Sequence, residues 1–371
     1  MLTMIFGGSG SGKSLFAEHY TKCFHVKQNR DEKASNLYYL ATMMPYGKET
    51  EKKIKKHKKQ REGKEFIAIE QYLDIDQSFE NTCFYLLNSK ESENNDNGND
   101  DASAHKNDDI YDNAEKPIVL LECLSNLVAN ELYEERRKKE WKQNQENQKK
   151  RWEIAVANKV IGDIEQLKKQ CQHIVIVTND VFREGFGEWE GTKEYLSCLG
   201  KINEELAKQA DTIYEVVASI PILIKGEETL EWIQEVEDKK GMGKIVLILG
   251  GAFQGKRKWA MEQYQGYTLR EHLEEWMKEE IEVEWERCQE KKKEIDEVDI
   301  VHKLWEKIEN IWIQEENSIF LVNEIGAGMV PMGKKERLYR EVSGRISCEL
   351  AKRADEVYRI IAGCPMKLKG K

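Results

Sequence analysis

The chain has 371 residues, a length typical of about two domains, and carries 58 Lys and Arg against 68 Asp and Glu for a formal charge of −10. That balance argues against a general nucleic-acid binder, no apolar stretch nears the ~18 residues of a membrane span, and no charged-then-apolar leader precedes the first strand. Eight cysteines, at 23, 83, 123, 171, 198, 288, 348 and 364, show no C-x-x-C or metal-ligand spacing, so a cytoplasmic protein with reduced thiols is expected.

Leu2-Thr3-Met4-Ile5-Phe6 reads as a short buried strand running into Gly7-Gly8-Ser9-Gly10-Ser11-Gly12-Lys13-Ser14, and a helix opens at Leu15. The loop fits G-x-x-x-x-G-K-[ST] without mismatch. Its glycines let backbone N–H groups turn toward phosphate oxygens, and the helix N-terminus adds partial positive charge. Lys13 would reach the β- and γ-phosphates, and the Ser14 hydroxyl would ligate Mg²⁺. A glycine-rich turn that binds nothing is the bland alternative; the complete motif between strand and helix favours a nucleoside triphosphate.

A strand is expected at 37–41. Glu49, Lys53, His57 and Arg61 then recur at i, i+4, forming one ionisable stripe on a helix. The segment 48–61 is very basic, which suits a triphosphate, although charge runs are usually solvated faces. Glu70 closes Ile67-Ala68-Ile69-Glu70. Residues 89–116 are acidic, Asn-rich and nearly free of apolar side chains, so a disordered insert is expected. The strand at 117–122 ends in Glu122, like a Walker-B strand whose acid holds Mg²⁺ through water, though ordinary strands often end in acids. Asn130 is a weaker site candidate, since an asparagine there also suits helix capping or packing. A charged helix is expected over about 133–152, and strands at 173–178 and 213–218.

The chain then repeats itself. A strand at 244–249 runs into Gly250-Gly251-Ala252-Phe253-Gln254-Gly255-Lys256-Arg257, the opening loop again with Arg257 where Ser or Thr should stand. A charged helical pattern covers 273–293, and strands are expected at 318–322 and 356–361. The run Ile202–Tyr214 parallels Ile346–Tyr358, and each copy continues to a proline, Pro221 or Pro365, and a Lys-Gly close. Strands alternating with helices predict an α/β fold with a P-loop NTPase-like, mostly parallel sheet covered by helices, present as two tandem units. The expected boundaries are 1–235 and a shorter 243–371, joined around 237–243.

Five segments of the first half, in order, are the loop Gly7–Ser14, Tyr39-Leu40-Ala41-Thr42, the Glu49–Arg61 stripe, Leu120–Leu124 with Asn130, and Gly200–Asp211. The second half supplies Val322-Asn323-Glu324-Ile325-Gly326-Ala327-Gly328-Met329-Val330-Pro331, Tyr339-Arg340-Glu341 and Gly344-Arg345-Ile346. As an ordered set they resemble the bifunctional adenosylcobinamide kinase / adenosylcobinamide-phosphate guanylyltransferase family of cobalamin biosynthesis. The resemblance implies phosphorylation of adenosylcobinamide by ATP or GTP at Gly7–Ser14. Transfer of GMP from GTP through His57 to the new phosphate would follow. A neutral imidazole is a good nucleophile near pH 7, and neighbouring lysines disfavour its protonation. Lys53, Arg61, Glu70 and Glu122 are carried over as nucleotide-binding positions, with Mg²⁺ on Ser14 and Glu122.

The departures are complementary. In the first half the N-E-V-G-x-G-I-V-P block has become Asn179-Asp180-Val181-Phe182-Arg183-Glu184-Gly185-Phe186-Gly187, and Leu196 stands where an Arg would follow Tyr195. The second half keeps that block but lacks the loop hydroxyl and the histidine stripe; His272 and His302 have the wrong neighbours. One expectation is that Asn323, Glu324, Gly326 and Arg340 contribute to the first-half site, by pairing of the two copies or in a homo-oligomer; the alternative is a decayed second copy kept for packing. The rivals are a monofunctional kinase and a non-catalytic nucleotide-binding regulator or scaffold. Neither nucleic acid nor membrane is expected as a partner.

Overall fold

The computed structural model describes residues 1–28, 37–47, 50–51, 54–55, 58–59, 66–79, 116–133, 149–183, 192–227, 243–291, 293, 295–314 and 317–370. Two sheets organise them. The first contains β1 (Leu2–Gly7), β2 (Leu37–Ala41), β3 (Ile67–Glu70), β4 (Ile118–Glu122), β5 (His173–Asn179), β6 (Thr212–Val217) and β7 (Ile220–Lys225), in the order β3-β2-β4-β5-β1-β6-β7. The second contains β8 (Lys244–Gly250), β9 (Thr268–Arg270), β10 (Asn317–Asn323), β11 (Glu356–Ile361) and β12 (Cys364–Lys369), in the order β9-β10-β8-β11-β12. The run β5-β1-β6-β7 of the first thus has its counterpart in β10-β8-β11-β12 of the second.

Apolar continuity explains the strands. Ile118–Leu121, Ile174–Val177 and Ile245–Leu249 are almost wholly buried, the pattern of parallel strands covered on both faces. Strand β2 pairs parallel with β3 and β4, β4 with β5, and β8 with β10 and β11. Each sheet then closes with an antiparallel hairpin, β6–β7 and β11–β12. Their turns, Ala218-Ser219 (φ 47° and 63°) and Ala362-Gly363 (φ 49° and 80°), have the two positive φ values that match strand twist in a tight hairpin.

The covering helices are α1 (Lys13–Gln28), α2 (Leu124–Tyr133), α3 (Lys149–Gln170), α4 (Thr192–Gln209), α5 (Lys256–Gln263), α6 (Leu273–Glu290), α7 (Glu297–Gln314) and α8 (Lys334–Arg353). The longer helices bury stripes at helical spacing, such as Val156, Val160, Ile164 and Leu167 in α3, and Leu273, Met277 and Ile281 in α6. The eight expected strands are present to within a residue or so at their ends. Strands β3, β7, β9 and β12 are additions. Two contain proline, tolerated because each lies at a sheet edge where no N–H is needed. Residues 89–115, 134–148 and 237–242 of the predicted insert, charged helix and join lie outside the described residues; α3 begins at Lys149.

The chain divides into two compact units, and these do not follow the sequence halves. One holds Met1–Met4, Tyr20–Val177 and Glu190–Asp211; the other holds Ile5–His19, Thr178–Trp189 and Thr212–Lys371. The Gly7–Ser14 loop therefore belongs to the same unit as the whole of the second sheet. In that unit Val217, Ala218 and Ile220 share one core with Leu247, Leu249, Val342, Ile346 and Leu350.

Candidate active site

The loop between β1 and α1 turns through two glycines with positive φ. Gly10 and Gly12 have φ of 67° and 85°, values that L side chains rarely adopt. The Lys13 ammonium donates to Gly8 O at 3.1 Å, curled over its own loop. Ser11 O accepts the Ser219 N–H at 2.7 Å, so the β6–β7 turn braces the loop from the side. Phe16 N–H bonds Gly12 O, which starts α1 directly at the loop and puts the helix N-terminus there.

A block far along the chain is seated on this loop. Ser9 N–H donates to Gly326 O at 2.7 Å, Ser9 Oγ donates to Glu341 at 3.1 Å, and the Cys348 thiol donates to Gly10 O at 3.2 Å. The approach is backbone on backbone: a Cβ on Gly326 would fall 2.4 Å from Ser9 O, and one on Gly344 2.7 Å from Gly10 Cα. Only glycine permits it. Arg340 is buried and donates to Gly326 O (2.7 Å), Gly328 O (3.1 Å) and Met329 O, which fixes the turn. Burial pushes the Glu341 carboxyl up, but Arg345 at 2.9 Å, the Ser9 hydroxyl and Lys13 outweigh it, so its pKa falls below the ordinary value. Burial also raises the Cys348 thiol to about 12.

Beside the loop lies an open cleft of about 490 Å³, bordered by Ser9, Asp180, Arg183, Glu215 and Glu324. Its charges are paired within the unit. Arg359, 3 % exposed, donates to Glu215 at 3.1 Å and to Glu324 at 2.9 Å. Arg183 pairs with Asp180 at 2.5 Å and with Glu215. Desolvated charges this dense persist only when each is matched, and here each arginine answers two carboxylates. Of the sequence-predicted residues, this unit brings together Gly7–Ser14, Asn323, Glu324, Gly326 and Arg340.

The other unit holds Glu70 and Glu122. They border a pocket of about 460 Å³ with Tyr39, Met43, Lys58 and Asn126. The Tyr39 hydroxyl donates to Glu122 at 2.7 Å, Lys58 pairs with Glu70, and the Tyr72 hydroxyl donates to Glu70 at 2.8 Å. Burial and the Glu70 charge push the Tyr72 phenol up to about 12. Glu49, Lys53, His57 and Arg61 lie outside the described residues; the described ones at 47, 50–51, 54–55 and 58–59 are helical. Asn130 is buried and donates to Thr42 O at 2.8 Å and Tyr72 O at 3.1 Å. His272 and His302 are exposed and paired with Glu275 and Glu306, in keeping with their wrong neighbours.

Sequence reasoning missed Tyr39, Glu215, Glu341 and Arg359 as site residues. Tyr39 and Glu341 stand inside quoted motifs, which is the signal that could have found them; Glu215 and Arg359 occupy matching places in β6 and β11. Asp74, Glu131 and Asp163 also cluster closely enough for a cation. Lys159 fills that place at 2.6–2.8 Å from all three, and burial still raises Asp163 to about 6. The seven described cysteines form no disulfide, and no helix among the described residues is long and apolar enough to cross a membrane.

The family model described as CobU, cobinamide kinase / cobinamide phosphate guanyltransferase, matches residues 3–89, 100–224 and 266–368. The bifunctional adenosylcobalamin biosynthesis protein CobU of Salmonella typhimurium is 30% identical over 119 residues, 31% of this chain and 61% of that protein. The protein of the same name from Escherichia coli is 35% identical over 51 residues, 14% of this chain and 28% of its own length. The chain thus spans less than two thirds of each of these relatives. With well over half of its length matched by the family model, the chain belongs to the cobinamide kinase / cobinamide phosphate guanyltransferase family.

Proposed function

We propose that the chain phosphorylates adenosylcobinamide with ATP or GTP and then transfers GMP from GTP to the new phosphate, giving adenosylcobinamide-GDP in a cytoplasmic pathway. The observation that carries this reading is the Gly7–Ser14 loop, with its two positive-φ glycines and a lysine folded over it. Phosphoryl transfer asks a protein mainly for position and charge, and Lys13 with the loop N–H groups offers both. The Ser14 hydroxyl and the Glu122 carboxylate are hard oxygen donors, the chemistry Mg²⁺ prefers; when bound it neutralises charge on the phosphates.

In the second reaction a neutral His57 nitrogen attacks the α-phosphorus of GTP; a P–N bond forms and the P–O bond to pyrophosphate breaks. An oxygen of adenosylcobinamide phosphate then attacks the same phosphorus and displaces the imidazole. Lys53, Arg61 and Glu70 are assigned to the nucleotide, and the presence of Lys58 on the Glu70 pocket supports that reading. Asn323, Glu324, Gly326 and Arg340 are read as the second copy's share of the phosphate-loop site, supported by the Ser9–Gly326 hydrogen bond. Two copies of one unit, 1–235 and 243–371, account for this division of labour.

The test is incubation with α-labelled GTP and Mg²⁺ beside His57→Ala. Acid-labile, base-stable label on the unaltered chain alone is expected. Label on neither, with corrinoid-dependent turnover retained, would leave a kinase only. That second reading draws on the first-half block, where the acid Asp180 is engaged by Arg183.

A further inference from the structure

The second phosphate loop stands in the place of a nucleotide site, yet its contacts point elsewhere. Lys256 opens α5 as Lys13 opens α1, and it is buried. Its ammonium donates to Gly250 O at 3.1 Å, Gly251 O at 2.7 Å and Asn323 Oδ1 at 2.5 Å. An ammonium has three donors, so this set is a full complement. Arg257, where a Mg²⁺-binding hydroxyl belongs, pairs with Glu271 at 3.1 Å. Glu274 accepts the Asn323 N–H at 3.2 Å, and both Glu274 and Glu324 act on Lys256 as neighbouring negative charges. Two carboxylates beside the lysine are a poor setting for a triphosphate.

These contacts converge on one segment. Asn323 is held through its side chain by Lys256 and through its N–H by Glu274, and Glu324 N–H bonds Gly250 O at 3.1 Å. Three residues after Asn323, Gly326 O receives Ser9 N–H of the first loop, and Gly328 N–H bonds Asp180 O at 2.8 Å. Arg340 grips the far end of the same turn. The block that caps the first loop is therefore anchored at its start by the second loop.

We propose that the second phosphate loop is a bracket instead of a nucleotide site: Lys256 is a positioning residue that holds Asn323, and through it the 323–329 block, against the first loop. Each chain then binds one triphosphate, at Gly7–Ser14. The inference rests on the reading of Gly7–Ser14 as a triphosphate site.

The test is calorimetric titration of the full chain with Mg²⁺-GTP, repeated for variants whose melting without nucleotide shows that they fold. One nucleotide per chain is expected, with binding abolished in Lys13→Ala. Lys256→Ala and Asn323→Ala should each weaken binding by about tenfold, as loss of a charge-assisted hydrogen bond does, without altering the stoichiometry. Combined, they should cost little more than either alone, because they break one contact from its two ends. Arg257→Ser, which restores the missing hydroxyl, should leave one nucleotide per chain. Should Lys256→Ala not fold, Asn323→Ala and Arg257→Ser carry the test. Two nucleotides per chain falling to one in Lys256→Ala would overturn the bracket, as would unchanged affinity in the Lys256 and Asn323 variants. No binding by the unaltered chain would overturn the triphosphate reading itself, and the bracket with it.

Discussion

The Gly7–Ser14 and Gly250–Arg257 loops follow the same path and meet different surroundings. Gly10 and Gly12 have φ of 67° and 85°; Phe253 and Gly255, their counterparts, have 58° and 87°. Ser11 O takes the Ser219 N–H at 2.7 Å, as Gln254 O takes the Gly363 N–H at 3.0 Å. Even the strand starts agree, with Asp211 accepting the Leu2 N–H at 2.7 Å and Asp355 the Ile245 N–H at 2.8 Å. Yet Gly10 is packed against Gly344, whereas Phe253 stands fully in solvent at 106 % exposure. The shape of such a loop is set by the strand, helix and hairpin around it. What differs is the residue after the lysine, Ser14 or Arg257, and what covers the tip.

Exchanging the tips gives the largest and the smallest expected effects. Gly10→Phe keeps the local backbone problem that Phe253 already tolerates, but its Cβ would lie 2.9 Å from Gly344 Cα and 3.1 Å from Glu341 O. The cap must shift, and kcat/KM for nucleotide should fall by about 100-fold, the cost of an ångström-scale misplacement. Near-normal steady-state kinetics would show that the cap does not matter to the loop.

An intermediate effect separates the two sheets by acid sensitivity. His173 opens β5 where Asn317 opens β10, and its Nε2 meets Thr3 Oγ1 at 2.9 Å in the core. Burial lowers its pKa from 6.5 to about 3. Between those values the unfolded chain binds the proton and the folded chain does not, so stability falls as pH falls, by up to about 1.4 kcal/mol per unit. His173→Asn should flatten urea-derived stability between pH 6.5 and about 3. An equally steep decline in the variant would assign the acid limb to other groups.

Phe253→Gly should change least. It removes a non-glycine residue from the left-handed region, a gain of about 1 kcal/mol. It adds glycine's unfolded-state entropy, a loss of about 0.5–1 kcal/mol. A melting temperature within about 2 °C of the unaltered chain is expected. A drop well beyond that would mean the exposed ring makes contacts that matter.

The elements themselves were legible because buried parallel strands are unbroken apolar runs and the phosphate loop is a dense local pattern. The four extra strands were not: β9 has three residues, β3 alternates weakly, and β7 and β12 carry prolines. Complementary losses in the two copies suggested that the Asn323–Gly326 block and the first loop belong together, and the two are in contact through Ser9 and Gly326. Its means were hidden. Ser9 and Glu341 lie 332 residues apart, and one sequence holds no signal that pairs them. Nor does composition reveal that Lys256 spends its donors on Asn323, since a phosphate-loop lysine looks the same whether it faces a nucleotide or an amide. Glu122 was legible as an acid at a strand end and Glu70 only through the family resemblance, while their tyrosine partners, Tyr39 and Tyr72, come from packing.

The distance from Ser9 to Glu341 also orders events during synthesis. At about 5–20 residues per second, a ribosome needs tens of seconds to make the 332 residues between them. Through that interval the phosphate loop has been translated but not its cap. A chain interrupted before Gly326 would carry the whole Gly7–Ser14 motif without the two residues, Gly326 and Glu341, that Ser9 bonds in the finished fold.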